Sequence, residues 1–408
     1  MSDPIQKVDA LVVGAGPAGL SAAARIAEAG FEVLVLERQA SVAEHVRTSG
    51  ATAITTVKRV GLDRGLYHVV KLLRLSTPET TVQMKCGEDA LCVLDVRGTY
   101  RWLAAKATEA GAQLALASTA EAVLTDPAGA VSGCQVRDAD GSREIHARVV
   151  VDAGGHRAQM SKSSGLHPGF RRFGVGAEWE LVAPEVDQDE LVLILSERHA
   201  PSGYAWAFPW GDERVRLGVG VHHSDVRSSP REHLETLRED AGLFGLDLTD
   251  ATAREFHYGL VPAAPVASPM TGDGIVAVGD AAGQATLVVG EGIRIALVAG
   301  EMAGETAAAA LAGGRTDHAA LLPYEERFRK EFGRDLKIGY QLNRRLSSYR
   351  DEQWNKRLLF LESMPPSLVL DLLQSRVDLT DIAAWAIRHP KQWRHSGALV
   401  RALASSLR

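Results

Sequence analysis

An α/β protein is predicted, with a parallel unit split by an inserted antiparallel sheet and followed by a helical C-terminal region. Three observations carry this expectation. Near the N-terminus an apolar strand runs directly into a Gly-x-Gly-x-x-Gly turn and a helix of small residues. The middle of the chain breaks into short strand-like runs separated by turn residues, and residues 274–280 then resume the strand-and-glycine pattern of the start. Distant segments with one shared chemistry fit a domain interrupted by an insertion. At roughly 150 residues per domain, 408 residues give two or three packed units.

Ala10-Leu11-Val12-Val13 reads as a buried strand, followed at once by Gly14-Ala15-Gly16-Pro17-Ala18-Gly19. Leu20 to Ala29 is a helix stopped by Gly30, and Phe31 to Leu36 is a second strand closing on Glu37. This is one βαβ unit of Rossmann type. The glycine pattern alone is a weak signal, but here it lies after a strand and before a helix, where the chemistry requires it. Gly14 permits the tight turn, Gly16 lets the backbone approach a pyrophosphate, and Gly19 lets helix and strand pack closely. Pro17 presets φ at the helix start, where its missing N–H is not needed. The helix N-terminus offers free N–H groups to a phosphate. Glu37, about twenty residues on, is placed to accept from a ribose diol.

Composition narrows the function. A 46% apolar and 24% charged chain can bury a large core. Forty-five basic against fifty-one acidic side chains leave −6, which argues against a nucleic-acid binder with a broad phosphate-facing stripe. Cys86, Cys92 and Cys134 are too few and too far apart for a disulfide scaffold or a cysteine-built metal site, so no metal is expected. Residues 1–9 show no basic head before an apolar stretch, and Arg294 and Glu301 interrupt the most apolar run, so a cytoplasmic protein without a membrane span is expected.

The βαβ unit accepts NAD or FAD. Val276-Ala277-Val278-Gly279-Asp280-Ala281-Ala282-Gly283 favours FAD, because an Asp at such a late strand end can bind a ribityl hydroxyl. Gly290-Glu291-Gly292 beyond it lets backbone lie against a flat ring. Between these halves, strands are expected at Val175–Trp179, Leu191–Leu195, Tyr204–Phe208, Val215–Val221 and Arg254–Leu260, forming an antiparallel sheet. In Gly203-Tyr204-Ala205-Trp206-Ala207-Phe208-Pro209 the three aromatics alternate and so share one sheet face. Such a row is commonly core. Facing a flavin, it suits a long apolar or flat substrate.

With these residues in place the chain resembles the FAD-dependent geranylgeranyl reductases, within the hydroxybenzoate-hydroxylase-like flavoproteins, over about three quarters of its length. The glycine motif with Glu37 is shared by the whole superfamily. Asp95-Val96-Arg97-Gly98-Thr99-Tyr100-Arg101-Trp102-Leu103 is similar to the family's stretch with an FAD-contacting arginine, which implies a cofactor contact for Arg97, although Arg101 stands where the family usually has Asp. Val151-Asp152-Ala153-Gly154-Gly155 resembles the turn returning to the cofactor, with Ala158 in place of a usual serine. Gly279 to Arg294 resembles the flavin-side stretch, with Leu287 where a proline is usual. Tyr204 to Pro209 resembles the family's Tyr-x-Trp-x-Phe-Pro motif, which implies that Tyr204, Trp206 and Phe208 line the substrate cavity. A cysteine in a family Cys-Gly pair is replaced here by Ser49 of Arg47-Thr48-Ser49-Gly50.

The resemblance implies a Rossmann-type FAD-binding domain over residues 1–65, 95–165 and 265–316. An antiparallel-sheet substrate domain would take residues 66–94 and 166–264, and a helical C-terminal region residues 317–408. The expected cofactor-binding residues are Gly14, Gly16, Pro17, Ala18, Gly19, Glu37, Arg38, Arg97, Gly279, Asp280, Gly290, Gly292 and Ile293. The implied reaction saturates a carbon–carbon double bond of a hydrophobic substrate, with hydride from N5 of reduced FAD. No second dinucleotide fingerprint is visible, so NAD(P)H or another reductant would dock transiently. Tyr204, Trp206 and Ser49 are the candidate catalytic residues; His222 and His223, at a strand end, are read as structural. The rival reading is an FAD-dependent monooxygenase or halogenase, since halogenases carry a similar Trp-x-Trp-x-Ile-Pro motif. A halogenase also needs a lysine between flavin and substrate, for which Lys71 and Lys85 are in the right region. Arg388, Lys391, Arg394, Arg401 and Arg408 with Trp393 make a basic C-terminal stretch, read as a solvated helix or as a peripheral contact with anionic lipid.

Overall fold

The computed structural model of the protein describes residues 6–389 apart from 88–89, 224 and 377–378. Strand Gln6–Val13 lies at the centre of a sheet, parallel to Gly141–Asp152 on one side and Val33–Leu36 on the other. Ile275–Ala277 extends it beyond Gly141–Asp152, and Gln113–Ala115 beyond Val33–Leu36, both parallel. Residues 33–36 and 10–13 are buried throughout, as expected of strands covered on both faces. Registers pair Val13 with both Leu36 and Asp152, and Asp152 with Ala277, so these strands end side by side. Ligands of open parallel sheets sit at such carboxyl ends.

Helix Pro17–Glu28 starts on Gly16 and is stopped by Gly30 at φ +86°. It packs along Ile293–Ala312, the one helix among the described residues long and apolar enough to cross a membrane. The most apolar 18 residues of that helix are instead 78% buried within the protein. The reason is a seam of small residues: a Cβ at Gly300 would stand 2.3 Å from the Ala18 carbonyl oxygen, and one at Gly304 2.5 Å from that of Ala22.

A seven-stranded sheet runs in the order Thr252–Pro262, Phe173–Val182, Arg214–His222, Tyr204–Pro209, Glu190–Ile194, Leu72–Ser76, Thr81–Lys85. The five strands read from sequence are all present. Every pairing is antiparallel except that of Glu190–Ile194 with Leu72–Ser76, which is parallel. One face buries Val192, Ala205, Ala207, Leu217 and Val219 with Leu234 and Leu237 of helix Pro230–Glu239. Alternation therefore turns Tyr204, Trp206 and Phe208 to the other face. Ala51–Ala53, Leu91–Leu94 and Tyr67–Val70 form a small third sheet.

From His318 onward the described chain is helical. Tyr324, Phe328 and Phe332 join the core of the parallel sheet, whereas Ile338, Leu342, Leu358 and Phe360 join the core around Trp206 and Phe208. Of the basic C-terminal stretch, Arg388 is exposed at the end of helix Leu379–Arg388; Lys391, Trp393, Arg394, Arg401 and Arg408 lie outside the described residues.

Candidate active site

A cavity of about 700 Å³ opens between the carboxyl ends of the parallel strands and the aromatic face of the seven-stranded sheet. On the first side its wall includes Gly14, Gly16, Pro17, Ala18, Glu37, Arg38, Gly279, Asp280, Gly290, Gly292 and Ile293, eleven of the expected cofactor residues. Gly14 holds φ +105°, and a Cβ there would stand 2.4 Å from the Ala153 carbonyl oxygen, so turn and returning strand demand glycine together. Around Gly16 a Cβ would meet nothing within 4 Å. That open space before a helix N-terminus is the cradle a pyrophosphate needs. The Glu37 carboxylate accepts from the N–H groups of Ala15 (3.0 Å) and Gln39 (2.9 Å), which anchors it beside the turn. Burial pushes the Asp280 carboxyl up to about 6. These residues fit FAD: helix N–H groups for the pyrophosphate, Glu37 for the ribose and Asp280 for a ribityl hydroxyl.

Two expected residues do not reach the cavity. Gly19 serves packing: a Cβ there would lie 2.0 Å from the Gly14 carbonyl oxygen. Arg97 turns away because helix Val96–Glu109 presents Val96 and Tyr100, one turn apart, to the cavity and position 97 about 100° round from Val96. Its guanidinium donates instead to Glu255 at 2.8 and 3.0 Å and to the Ala43 carbonyl.

The opposite wall carries Tyr204 and Trp206. The Tyr204 hydroxyl donates to the carbonyl of Val289, tying the sheet to the Gly290 turn, and burial pushes its pKa up. The Trp206 indole lies across the neighbouring strand, where a Cβ at Gly218 would stand 2.3 Å from its ring and one at Gly220 3.3 Å. It thereby reaches the strand beyond and donates through Nε1 to Glu178 (2.8 Å). Phe208 shares the face but not the cavity. It stacks behind Trp206 with ring centroids 5.9 Å apart, in the core with Leu191 and Leu358. Ser49 lines the cavity, and its carbonyl accepts from Arg216 (2.8 Å).

Several wall residues lay beyond sequence reasoning. Glu178 and His257 form a buried cross-strand pair, Oε1 to Nδ1 2.9 Å. Asn343 of helix Arg334–Leu346 donates to the Leu287 carbonyl (2.7 Å), contacts His222 Nε2 (2.9 Å) and accepts from Arg172 (2.8 Å). His222, held to about 4 by burial and Arg172, lines the cavity beside it. The period-2 pattern Gly174-x-Gly176-x-Glu178, answered by Gly218-x-Gly220, was the available signal. The rim holds Arg38, Arg47, Arg157 and His156; burial and these neighbouring cations push His156 down to about 4. Among the described residues no lysine lines the cavity: Lys71 pairs with Asp189 and Lys85 is exposed.

Residues 7–337 match the FAD binding domain family. The chain is 32% identical over 355 residues to digeranylgeranylglycerophospholipid reductase 2 of Methanopyrus kandleri, covering 85% of this chain and 88% of the relative. It is 30% identical over 379 residues to the reductase 2 of Methanothermobacter thermautotrophicus, covering 91% and 96%. Among solved structures, a geranylgeranyl bacteriochlorophyll reductase-like protein of Thermoplasma acidophilum superposes with TM-score 0.85 at 22% identity, over 97% of this chain and all of that one. A flavin-dependent brominase follows at TM-score 0.72 and 18% identity, over 91% and 94%. A glycine cradle that fits FAD and relatives that share nearly the whole chain agree: the protein belongs to the FAD binding domain family, in its geranylgeranyl reductase branch, and is a flavin-dependent oxidoreductase.

Proposed function

We propose that the protein saturates carbon–carbon double bonds in the isoprenoid chains of a hydrophobic lipid substrate. FAD, once reduced by NAD(P)H or another transient donor, supplies the hydride. The observation that carries this reading is the wall facing the cofactor cradle: Tyr204 and Trp206 beside Gly176 and Gly220. Such a surface holds an apolar chain by area and excludes water, with few hydrogen bonds to fix it. Trp206 positions the chain. Tyr204, its hydroxyl committed to Val289, is a strut between sheet and turn. Ser49 offers a hydroxyl at the wall, a weaker acid than the family's thiol.

Among the described residues no lysine stands at the cavity for the halogenase alternative, so the reductase reading is preferred. The test is anaerobic. Dithionite-reduced enzyme mixed with a digeranylgeranylglycerophospholipid should recover the oxidised flavin spectrum and yield product two mass units heavier per double bond. Substrate-stimulated oxygen uptake with no anaerobic reoxidation overturns the reading. A cytoplasmic enzyme meeting its lipid at the membrane surface belongs to the same proposal, supported by the basic composition of residues 387–408. Liposome co-sedimentation should fall when the last twenty residues are removed; equal pelleting rejects that contact.

A further inference from the structure

Resting on the reductase reading, we propose that Glu178 and His257 form a proton relay that supplies the acid for the second carbon of the reduced double bond, drawing on the surface carboxylate Glu255. Glu178 and His257 are 3% and 4% exposed, face each other across neighbouring strands and both line the cavity. Each Glu178 oxygen is engaged: Oε2 accepts from the Trp206 indole (2.8 Å) and Oε1 contacts His257 Nδ1 (2.9 Å). The other imidazole nitrogen, Nε2, is buried without a hydrogen-bond partner, and Glu255 Oε1 stands 3.6 Å from it, just outside contact. The Glu255 side chain is 35% exposed and is held in place by Arg97. A path of carboxylate, imidazole and carboxylate thus leads from solvent to the cavity wall.

A purely structural pair is a poor explanation. A buried ion pair is weak as a source of stability, and the indole N–H needs only a neutral acceptor. An unpartnered buried nitrogen carries a cost that calls for a reason. An imidazole that takes a proton at Nε2 while giving one from Nδ1 supplies the reason. The step balances. The hydride and its two electrons come from the reduced flavin, which is oxidised. The electron pair of the broken π bond forms the second C–H bond with the Glu178 carboxyl proton. The Glu178 carboxylate is then reprotonated from His257 Nδ1, and His257 recovers a proton at Nε2 through Glu255. The charged groups facing His257 are Glu178 and Glu180 from strand Phe173–Val182 and Glu255 from its own strand; these carboxylates are in turn faced by Arg216 (Glu178 and Glu180), Arg214 (Glu180) and Arg97 (Glu255).

The test compares wild type with Glu178→Gln, His257→Gln and Glu255→Gln, each FAD-loaded and dithionite-reduced, in anaerobic single turnovers with a digeranylgeranylglycerophospholipid. Flavin content and its reduction should be unchanged. Reoxidation should slow by about 10²-fold or more in the first two variants, the scale of a lost general acid, and by less in Glu255→Gln. Rates within twofold of wild type in Glu178→Gln and His257→Gln overturn the relay. Failure of wild type itself to react rejects the reductase reading instead, and the relay is then judged without cofactor or substrate. In the flavin-free, 15N-tryptophan-labelled chain the Trp206 indole N–H signal, assigned by its loss in Trp206→Phe, should move with pH in wild type and stay still in His257→Gln. Movement in both, or in neither, overturns the relay.

Discussion

Trp206 reaches Glu178 across an intervening strand because positions 218 and 220 carry no Cβ, so hydrogen bond and ring placement depend on two glycines in the neighbouring strand. Asp280 shows the opposite dependence, on burial. Its native carboxyl sits near 6, above the unfolded value near 4, so the native state holds a proton over pH 4–6 that the unfolded state has released. Stability of the flavin-free chain should therefore fall as pH rises through that window, by on the order of 2–3 kcal/mol from this group alone. His156 and His222, held near 4, act with the opposite sign, costing stability as pH falls below 6.5. The difference between wild type and Asp280→Asn in urea unfolding at pH 4, 5 and 6 isolates the carboxyl: the gap should close as pH falls. A constant gap rejects the assignment. Asp280 and Glu37 were legible in sequence because each ends a strand at a fixed place in a nucleotide unit. Glu178 was not, since its role depends on an indole two strands away.

The pairing of helices Pro17–Glu28 and Ile293–Ala312 decides where the cofactor seat stands. Gly300 touches the backbone of Ala18, one residue beyond Pro17 at the seat. Gly300→Val must push the helices apart, because the obstacle is a carbonyl oxygen and cannot rotate away. The expected cost is about 1–3 kcal/mol, with loss of bound flavin, read from denaturant midpoint and visible absorbance. Full flavin occupancy would show that the seat is set elsewhere. The apolar run was read from sequence as interrupted by Arg294 and Glu301, which is correct chemically, yet its partner was invisible because the glycine seam joins segments about 280 residues apart. The same holds for helix Arg334–Leu346. Nothing in its sequence marks a wall residue, yet Asn343 is buried against the carbonyl of Leu287 and lines the cavity. Arg97 points away from the cavity for an element-level reason too: helical phase, not proximity in sequence, chooses which side chains face a site.

At the scale of the molecule, the cradle and the aromatic wall are built by different sheets, one with a parallel centre and one largely antiparallel, and both line the cavity. That division was readable from alternating composition along the chain, whereas the closing of the cavity by C-terminal helices was not, because no local pattern marks it. Two sheets with separate cores predict separable failures. Gly16 has an ordinary φ of −85° and empty space around it, so Gly16→Val should fold as wild type and be refused only by the ligand. The purified variant should be colourless, with a melting transition equal to that of flavin-free wild type. Trp206→Ala removes a large, mostly buried ring and should cost about 3 kcal/mol. It leaves every residue of the cradle in place, so the variant should stay yellow, be reduced by dithionite and fail to return electrons to the lipid. Colour lost in Trp206→Ala, or kept in Gly16→Val, would mean that cofactor and substrate surfaces are not divided between the two sheets.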